Sequence, residues 1–304
     1  MKFKLSLPLA YAALFALLSF TVDNFFSTVN IVGLLLSVAQ IGMVACTMML
    51  CLASRDFDLS VGSTIAFAGV LGAMVLERTG SPAVAVVAAL AAGGAIGVAN
   101  GVLIAWLRVN ALIATLATML MVRGLAFIAA QGQAVGIADE GFIAFGDTRM
   151  LGLPLPVWVT AACFLVFGVL LNHTVFGRNT LAVGGNPEAA RLAGVRVEGL
   201  RLTIFTLQGL VAAMAGLILA SRITSGQPNA ATGFELDVIS ACVLGGVSLS
   251  GGRAGIVGVL VGVLVMGTVD NVMNLQGVDA FYQYLVRGVI LLAAVLLDQW
   301  KGDR

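Results

Sequence analysis

Few side chains in this sequence could carry a reaction. The only lysines, Lys2, Lys4 and Lys301, stand at the ends of the chain. None follows a G-x-x-x-x-G, so the lysine that grips nucleotide phosphates is missing. His173 is the sole histidine and cannot build a metal site alone. Neither G-x-S-x-G nor H-E-x-x-H occurs, and no carboxylate pair lies at membrane depth. Cys46, Cys51, Cys163 and Cys242 all sit in apolar stretches without a C-x-x-C, and read as small buried hydrophobes. The glycine-rich run Gly245–Gly255 could cradle an anion before a helix, but without the lysine it reads as a tight turn. No catalytic group, metal site or bound cofactor is expected on this chain.

Three sets of polar residues stand apart. The first is Gly184–Gly194, reading G-G-N-P-E-A-A-R-L-A-G. Asn186 is a good N-cap, Pro187 suits the first helical position, and Glu188 favours the positive helix N-terminus. Ala189, Ala190, Arg191, Leu192 and Ala193 continue a short helix, which Gly194 ends. Two turns are not stable alone in water, so this helix is expected to dock against a partner, a solvated loop helix being the alternative. The second set is Arg55, Asp56 and Asp58, a charged break between two apolar runs. It is expected to act as a gate or contact element, with an exposed Arg55–Asp58 pair as the alternative. The third is Asp270 with Arg287 and Arg123, three charges inside apolar runs. A lone charge in lipid is costly, so Asp270 is expected to pair, with Arg287 favoured over Arg123 because a short turn joins their helices.

The elements that hold these sets are read from composition. Sixty per cent of the 304 residues are hydrophobic and 10% charged, against roughly 25% charged in a soluble domain, so the class is an all-α integral membrane protein. Runs long enough to span are Leu5–Val22, Val29–Ala53, Leu59–Leu76, Ala83–Leu107, Val109–Ala130, Leu153–Asn172, Leu202–Ser221, Glu235–Leu249, Ala254–Leu275 and Phe281–Trp300. The eighth has only Val238–Gly252 between charges and is expected to be short or broken. The first is expected to be retained as a span, since no A-x-A-like cleavage site follows Phe20. With the N-terminus inside, eleven Lys and Arg face inward and three outward, which places both termini and the Gly184–Gly194 helix in the cytoplasm. The whole chain, 1–304, reads as one transmembrane domain, with 173–201 its large inner loop.

A faint internal repeat is present. F-D-L-S-V at Phe57–Val61 echoes F-E-L-D-V at Phe234–Val238, and G-V-A-N at Gly97–Asn100 echoes G-T-V-D-N at Gly267–Asn271. The two members of the first pair enter their helices from opposite sides, which indicates an inverted-topology repeat. Gly93, Gly97 and Gly101, like Gly258 and Gly262, recur at helical spacing and predict close helix packing.

E-A-A-x-x-x-G at Glu188–Gly194 resembles the cytoplasmic coupling motif of membrane subunits of bacterial ATP-binding-cassette importers. Its surroundings narrow the family: F-G-R-N-T-L-A-V-G-G-N-P-E-A-A-R-L-A-G-V, L-A-S-R-I-T-S-G-Q-P, V-I-S-A-C-V-L-G-G-V-S-L-S-G-G and D-F-D-L-S-V-G. Together these resemble the permeases of the ribose, xylose and arabinose importers, the arabinose members most of all, over nearly the whole chain. The I-x-L-P that often extends the motif is absent, since Leu207 is followed by Gln208.

The resemblance implies a homodimeric permease in the inner membrane. Its partners would be an ATPase subunit that holds ATP and Mg and a periplasmic sugar-binding protein. Sugars are neutral polyols, so a path needs hydrogen-bonding side chains rather than charge. Candidates are Gln40, Asn100, Thr115, Thr118, Gln208, Asn271 and Asn274, each of which could equally bond helix to helix. The competing function is a sugar transporter coupled to protons or sodium, for which Asp270 is the clearest membrane-depth acid.

Overall fold

A computed structural model describes residues 3–302, with side chains from 7 to 296. Lys2, Lys4, Lys301 and Arg304, on which the expected orientation partly rests, lie outside the residues whose side chains are described. The described chain is helical almost throughout. The helices are α1 (Phe3–Thr21), α2 (Thr28–Ala53), α3 (Val61–Thr79), α4 (Pro82–Ala105), α5 (Ala111–Ala129), α6 (Glu140–Asp147) and α7 (Leu155–His173). They continue as α8 (Val175–Gly185), α9 (Pro187–Leu192), α10 (Val197–Arg222), α11 (Phe234–Leu244), α12 (Ile256–Leu275) and α13 (Ala280–Gly302).

All ten expected runs are helical. Seven of the helices, α2, α3, α4, α5, α7, α10 and α12, are long and apolar enough to cross a membrane. The eighth expected run is α11, only 11 residues or about 16 Å, too short to cross a 30 Å core. Two two-residue ladders tie the far loops. β1 (Val135–Gly136) pairs antiparallel with β4 (Ser225–Gly226) in the register Val135↔Gly226, and β2 (Arg149–Met150) with β3 (Leu153–Pro154). The short polar α6, capped by Asp139, was not expected.

The two 26-residue helices α2 and α10 form the centre and touch each other. Around them the packing is crossed. Helix α10 packs on α3 and α4, whereas α2 packs on α11 and α12 and also on α7. Helices of each half thus pack on a central helix of the other half, in keeping with a pseudo-two-fold repeat. Helix α5 lies outside α3 and α4, and α13 outside α11.

Glycines set the spacing at these crossings. A methyl group on Gly97 of α4 would collide with the Phe205 carbonyl of α10, and one on Gly209 with the Gly93 carbonyl. Backbone approach of this kind is how helices associate where lipid offers no hydrophobic drive.

After α10 the chain turns back into the bundle. Gly226 lies against the backbone of Gly69 and Val70, and Ala231 against Gly62. Seven residues of α3 separate those contacts, so the segment descends about 10 Å along α3 before α11 begins. The N-termini of α3 and α11 therefore meet inside the bundle. The second pentapeptide thus starts its helix part-way into the bundle, after the descending segment, rather than at a surface.

The glycine contact gives a direct test. Gly97→Ala should force α4 from α10 and cost about 1–3 kcal/mol, the range for overpacking a tight core. A thermal melt in detergent reads it, and a variant that melts with the wild type would contradict the packing.

Candidate functional site

The Gly184–Gly194 stretch folds as a capped knob. Asn186 Oδ1 accepts from the backbone N–H of Glu188 and Ala189, both at 3.0 Å, and Pro187 opens the helix. Gly194 follows with φ of +87°, the left-handed geometry that ends a helix. Ala190 is buried beneath the knob, while Leu192 at the tip is 90% exposed. Arg191 bridges Glu188 at 3.0 Å and Glu198 on α10 at 2.6 Å. The knob is thus a short helix held at its base, with an apolar tip that none of the described residues covers.

Beside it opens a cleft of about 580 Å³, walled by α9, the α4–α5 turn and the α2–α3 loop. Arg55, Arg108, Arg191 and Arg201 line it together with Asp56, Glu188 and Glu198. The glycine-rich turn after α11 closes the neighbouring face, where Gly252 N–H donates to the Ala53 carbonyl at 2.9 Å. Gly246, Gly251 and Gly252 all have positive φ, so the run is a tight turn in which side chains would be strained.

The α2–α3 loop is buried, which corrects the picture of a surface pair between Arg55 and Asp58. Asp56 is 4% exposed and faces Arg201, whose Nε lies 2.9 Å from Asp56 Oδ2, an ion contact rather than an aligned hydrogen bond. Ser54 Oγ donates to the same oxygen at 3.3 Å. Asp58, 1% exposed, caps α3 instead: Ser60 donates to its Oδ1 through N–H at 2.8 Å and through Oγ at 2.6 Å. Asn100 Nδ2 on α4 donates to Ser60 Oγ at 2.9 Å, and Thr118 Oγ1 on α5 donates to Asn100 Oδ1 at 2.7 Å. Thr115 Oγ1 donates to the Ala111 carbonyl at 2.8 Å and reaches the Phe57 carbonyl at 3.5 Å.

Burial pushes both loop carboxyls up to about 6. The Arg201 charge and Ser54 pull Asp56 partly back, and the Ser60 bonds do so for Asp58.

On the far side, Asp270 and Arg287 form a bidentate pair. Arg287 Nε and Nη2 donate to the two Asp270 oxygens at 3.1 and 3.0 Å. Arg287 Nη1 also donates to Asp237 Oδ2 of α11 at 3.2 Å, a third member that the sequence reading missed. The repeat held the signal, since F-E-L-D-V sets Asp237 opposite Ser60. Arg123 does not join this triad. Its Nη1 donates to the carbonyls of Pro228 at 2.8 Å and Ala230 at 2.6 Å, and so holds the descending segment. Arg201 was missed as Asp56's partner, and no spacing in the sequence links the two.

Of the path candidates, Asn100, Thr115 and Thr118 are buried in the network just described and tie helices together. Asn271 exchanges hydrogen bonds with Asn30 of α2 at 2.8 and 3.0 Å, and Asn274 accepts from Gln283 at 2.9 Å. Gln40 and Gln208 differ: the side-chain nitrogen of each is buried without a protein partner. Among the described residues no group of three metal-ligating side chains occurs.

Two predictions follow from these contacts. Asp56 and Asp58 ordinarily ionise near pH 4. With folded values near 6, the fold binds protons that the unfolded chain has released, so stability falls as pH rises from about 4 to 6 and is level above. Asp58→Asn keeps the acceptor for Ser60 and removes one ionisation. It should hold or raise the melting temperature at pH 7 and flatten the pH dependence. Asp58→Ala strands Ser60 and should cost about 1–3 kcal/mol. Equal losses in the two variants would contradict the capping role.

In the triad, Arg287→Gln alone strands the carboxylates of Asp237 and Asp270, whereas Asp270→Asn leaves Arg287 paired with Asp237, so Arg287→Gln should destabilise more and adding Asp270→Asn to it should recover part of the loss. Neutralising Asp237 as well should relieve the rest. Strictly additive losses in that cycle would refute the coupling.

The sequence also has relatives that can be set beside this geometry. Residues 30–295 match the family described as branched-chain amino acid transport system / permease component. The L-arabinose transport system permease protein AraH of Escherichia coli (strain K12) is 56% identical over 291 residues, 96% of this chain and 89% of that protein. The L-arabinose ABC transporter permease protein AraH of Azospirillum brasilense is 54% identical over 97% of this chain and 87% of its own length. The ribose import permease protein RbsC of Escherichia coli (strain K12) is 42% identical over 96% and 92%. No solved structure matches this one. A mainly helical membrane bundle fits these relatives, and the chain belongs to the permease family of ATP-binding-cassette sugar importers.

Proposed function

We propose that this permease carries a pentose, L-arabinose, inward across the bacterial inner membrane. Two copies of the chain form the membrane path within the lipid. An ATP-binding-cassette subunit supplies ATP and Mg chemistry from the cytoplasmic side, and a periplasmic binding protein delivers the sugar. Both termini, the loop 173–201 and α9 face the cytoplasm, and the chain works as one transmembrane unit.

The observation that carries the coupling is the capped knob of Asn186–Gly194 with Leu192 exposed at its tip, in a chain without a nucleotide site. Support for the sugar comes from the two relatives named for L-arabinose transport at 56% and 54% identity. Within the path, Gln40 and Gln208 are the residues proposed to meet sugar hydroxyls, because their buried amide nitrogens lack a protein partner. The Arg55–Asp58 loop acts as the inner contact element beneath the knob. Coupling to protons or sodium finds less support, since Arg287 already ties up both Asp270 and Asp237.

The test is reconstitution with the cognate ATPase and binding protein. L-arabinose should stimulate ATP hydrolysis and uptake more than ribose or xylose. Uptake that persists without ATP and collapses with the proton gradient would sink this reading, and equal stimulation by ribose would sink the sugar assignment. Glu188→Arg should weaken co-purification of the ATPase and cut transport severalfold. Its melting temperature should barely move, because an exposed pair is worth at most about 1 kcal/mol. Wild-type transport in that variant would remove α9 from the coupling role.

A further inference from the structure

From Gln227 to Gly233, between α10 and α11, the chain is neither helix nor strand. Just before this stretch, Gly226 stands against Gly69 and Val70 of α3, nine residues or about 13 Å short of the far end of that helix at Thr79. Just after it, α11 runs on for 11 residues, about 16 Å, before the glycine turn whose Gly252 reaches Ala53. The stretch therefore lies near mid-membrane, with helix bracketing it on both sides.

Irregular backbone is tolerated at that depth only where protein covers it or water reaches it. Part of the stretch is covered. Arg123 of α5 takes the carbonyls of Pro228 and Ala230, and Ala231 packs on Gly62. The rest is open: Asn229 and Thr232 are exposed. The Thr232 hydroxyl donates to the Asn229 carbonyl at 2.8 Å, while the Asn229 side-chain amide has no partner among the described residues. The backbone N–H groups of Asn229, Ala231, Thr232 and Gly233 likewise donate to none of them. Glu235, half-buried beside Gly62 at the second position of α11, forms no ion pair among the described residues. Ala231 is also held at φ +54°, a strained setting for a residue with a side chain and one that recurs at ligand clamps.

Donors and acceptors left open at mid-membrane call for water or a ligand. Their mixture narrows the ligand. The N–H groups and the Asn229 amide can donate to hydroxyl oxygens, whereas Asn229 Oδ1 and Glu235 can accept from hydroxyl hydrogens. An anion would meet the Glu235 carboxylate, and a cation would leave the N–H groups unanswered. Arg123 is spent on two carbonyls. A neutral polyol is the class that suits the whole set.

We propose that this returning stretch is a sugar-binding loop on the transport path, with Asn229 and Glu235 its specificity-determining side chains and Arg123 the residue that positions it. The proposal rests on the reading of the chain as a sugar permease and names contacts at mid-membrane for the passing sugar.

Two measurements test it. In the first, the full chain carrying Asn229→Cys or Thr232→Cys is reconstituted with its ATPase in lipid nanodiscs and exposed to a charged maleimide. Both cysteines should react, because water must reach them. Leu165→Cys, on a lipid-facing side of α7 that is 70% exposed, should not react, and the four native cysteines are buried. In the second, uptake is followed in proteoliposomes that hold the ATPase and the binding protein. Asn229→Ala removes an amide that bonds to nothing in the fold, so the melting temperature should stay while uptake falls about three- to tenfold, the worth of one hydrogen bond. Glu235→Gln keeps the shape and should cut uptake about tenfold, since a bond to a charged group is stronger. Both variants should change the ratio of L-arabinose to ribose uptake.

Cysteines at 229 and 232 that react no faster than Leu165→Cys put the stretch against lipid or a dry interface and overturn the proposal. Reactive cysteines with wild-type uptake and an unchanged sugar ratio in both variants overturn it too, because water would then reach a loop that sugar does not touch. Failure of the functional reading looks different. It appears in the wild-type protein, as uptake that ignores ATP or favours no pentose, while the labelling stands.

Discussion

Lipid offers no hydrogen bonds, so every break in a helix inside this bundle must be satisfied by the protein itself. Two such breaks govern the structure, the loop between α2 and α3 and the segment that descends after α10. The N-termini of α3 and α11 meet where these breaks end, and two positive helix ends facing each other call for negative charge. Asp58 supplies it for α3 by accepting two bonds from Ser60. Glu235 and Asp237 stand in the first turn of α11, and a methyl group on Gly62 would be only 2.6 Å from Glu235 Oε2. Arg123 answers the exposed carbonyls of Pro228 and Ala230. Acids and arginines that look like liabilities in lipid are the terms on which broken helices can exist there.

Crossed packing then makes the halves interdependent. Because α10 is held by α3 and α4, and α2 by α11 and α12 as well as α7, neither half can move without changing the surroundings of a central helix of the other. Glycines at Gly93, Gly97, Gly209 and Gly216 bring these backbones into contact, which leaves little slack at the centre.

Much of this was legible in the chain. Asn186, Pro187 and Gly194 are local signals with local consequences, and the knob they describe is the one that forms. Apolar runs located ten helices, and a short connecting turn was enough to pair Asp270 with Arg287. What could not be read depends on contacts between distant segments. Asp56 and Arg201 are 145 positions apart and no pattern joins them. The neighbouring pair Arg55 and Asp58 offered a surface bridge that burial of the loop rules out. The depth of α11 was hidden because its run of apolar residues continues past Leu244 into the glycine turn, so hydropathy alone drew one longer span. The polar path candidates looked alike in sequence, and only packing separates Asn100 and Thr118, which bond to each other, from Gln40 and Gln208, whose side-chain nitrogens have no protein partner.

The charges around α9 differ in what they can transmit. Glu188, Arg191 and Glu198 lie at the surface, where an ion pair contributes little and salt screens it. They cannot by themselves make the knob rigid. Rigidity comes instead from the Asn186 cap and from the short tether 193–196 that runs directly into α10. Under the proposed coupling role, a push on the knob reaches the base of α10, one turn below Arg201. There the contact changes character, since Asp56 is buried and separating it from Arg201 would leave an unpaired charge inside the bundle. The α2–α3 loop must follow α10, and with it the Asp58 cap and the string that ends at Thr118. Surface charges on α9 can vary with the partner that covers them, whereas the buried Arg201–Asp56 contact has to persist for displacement at the knob to reach α5.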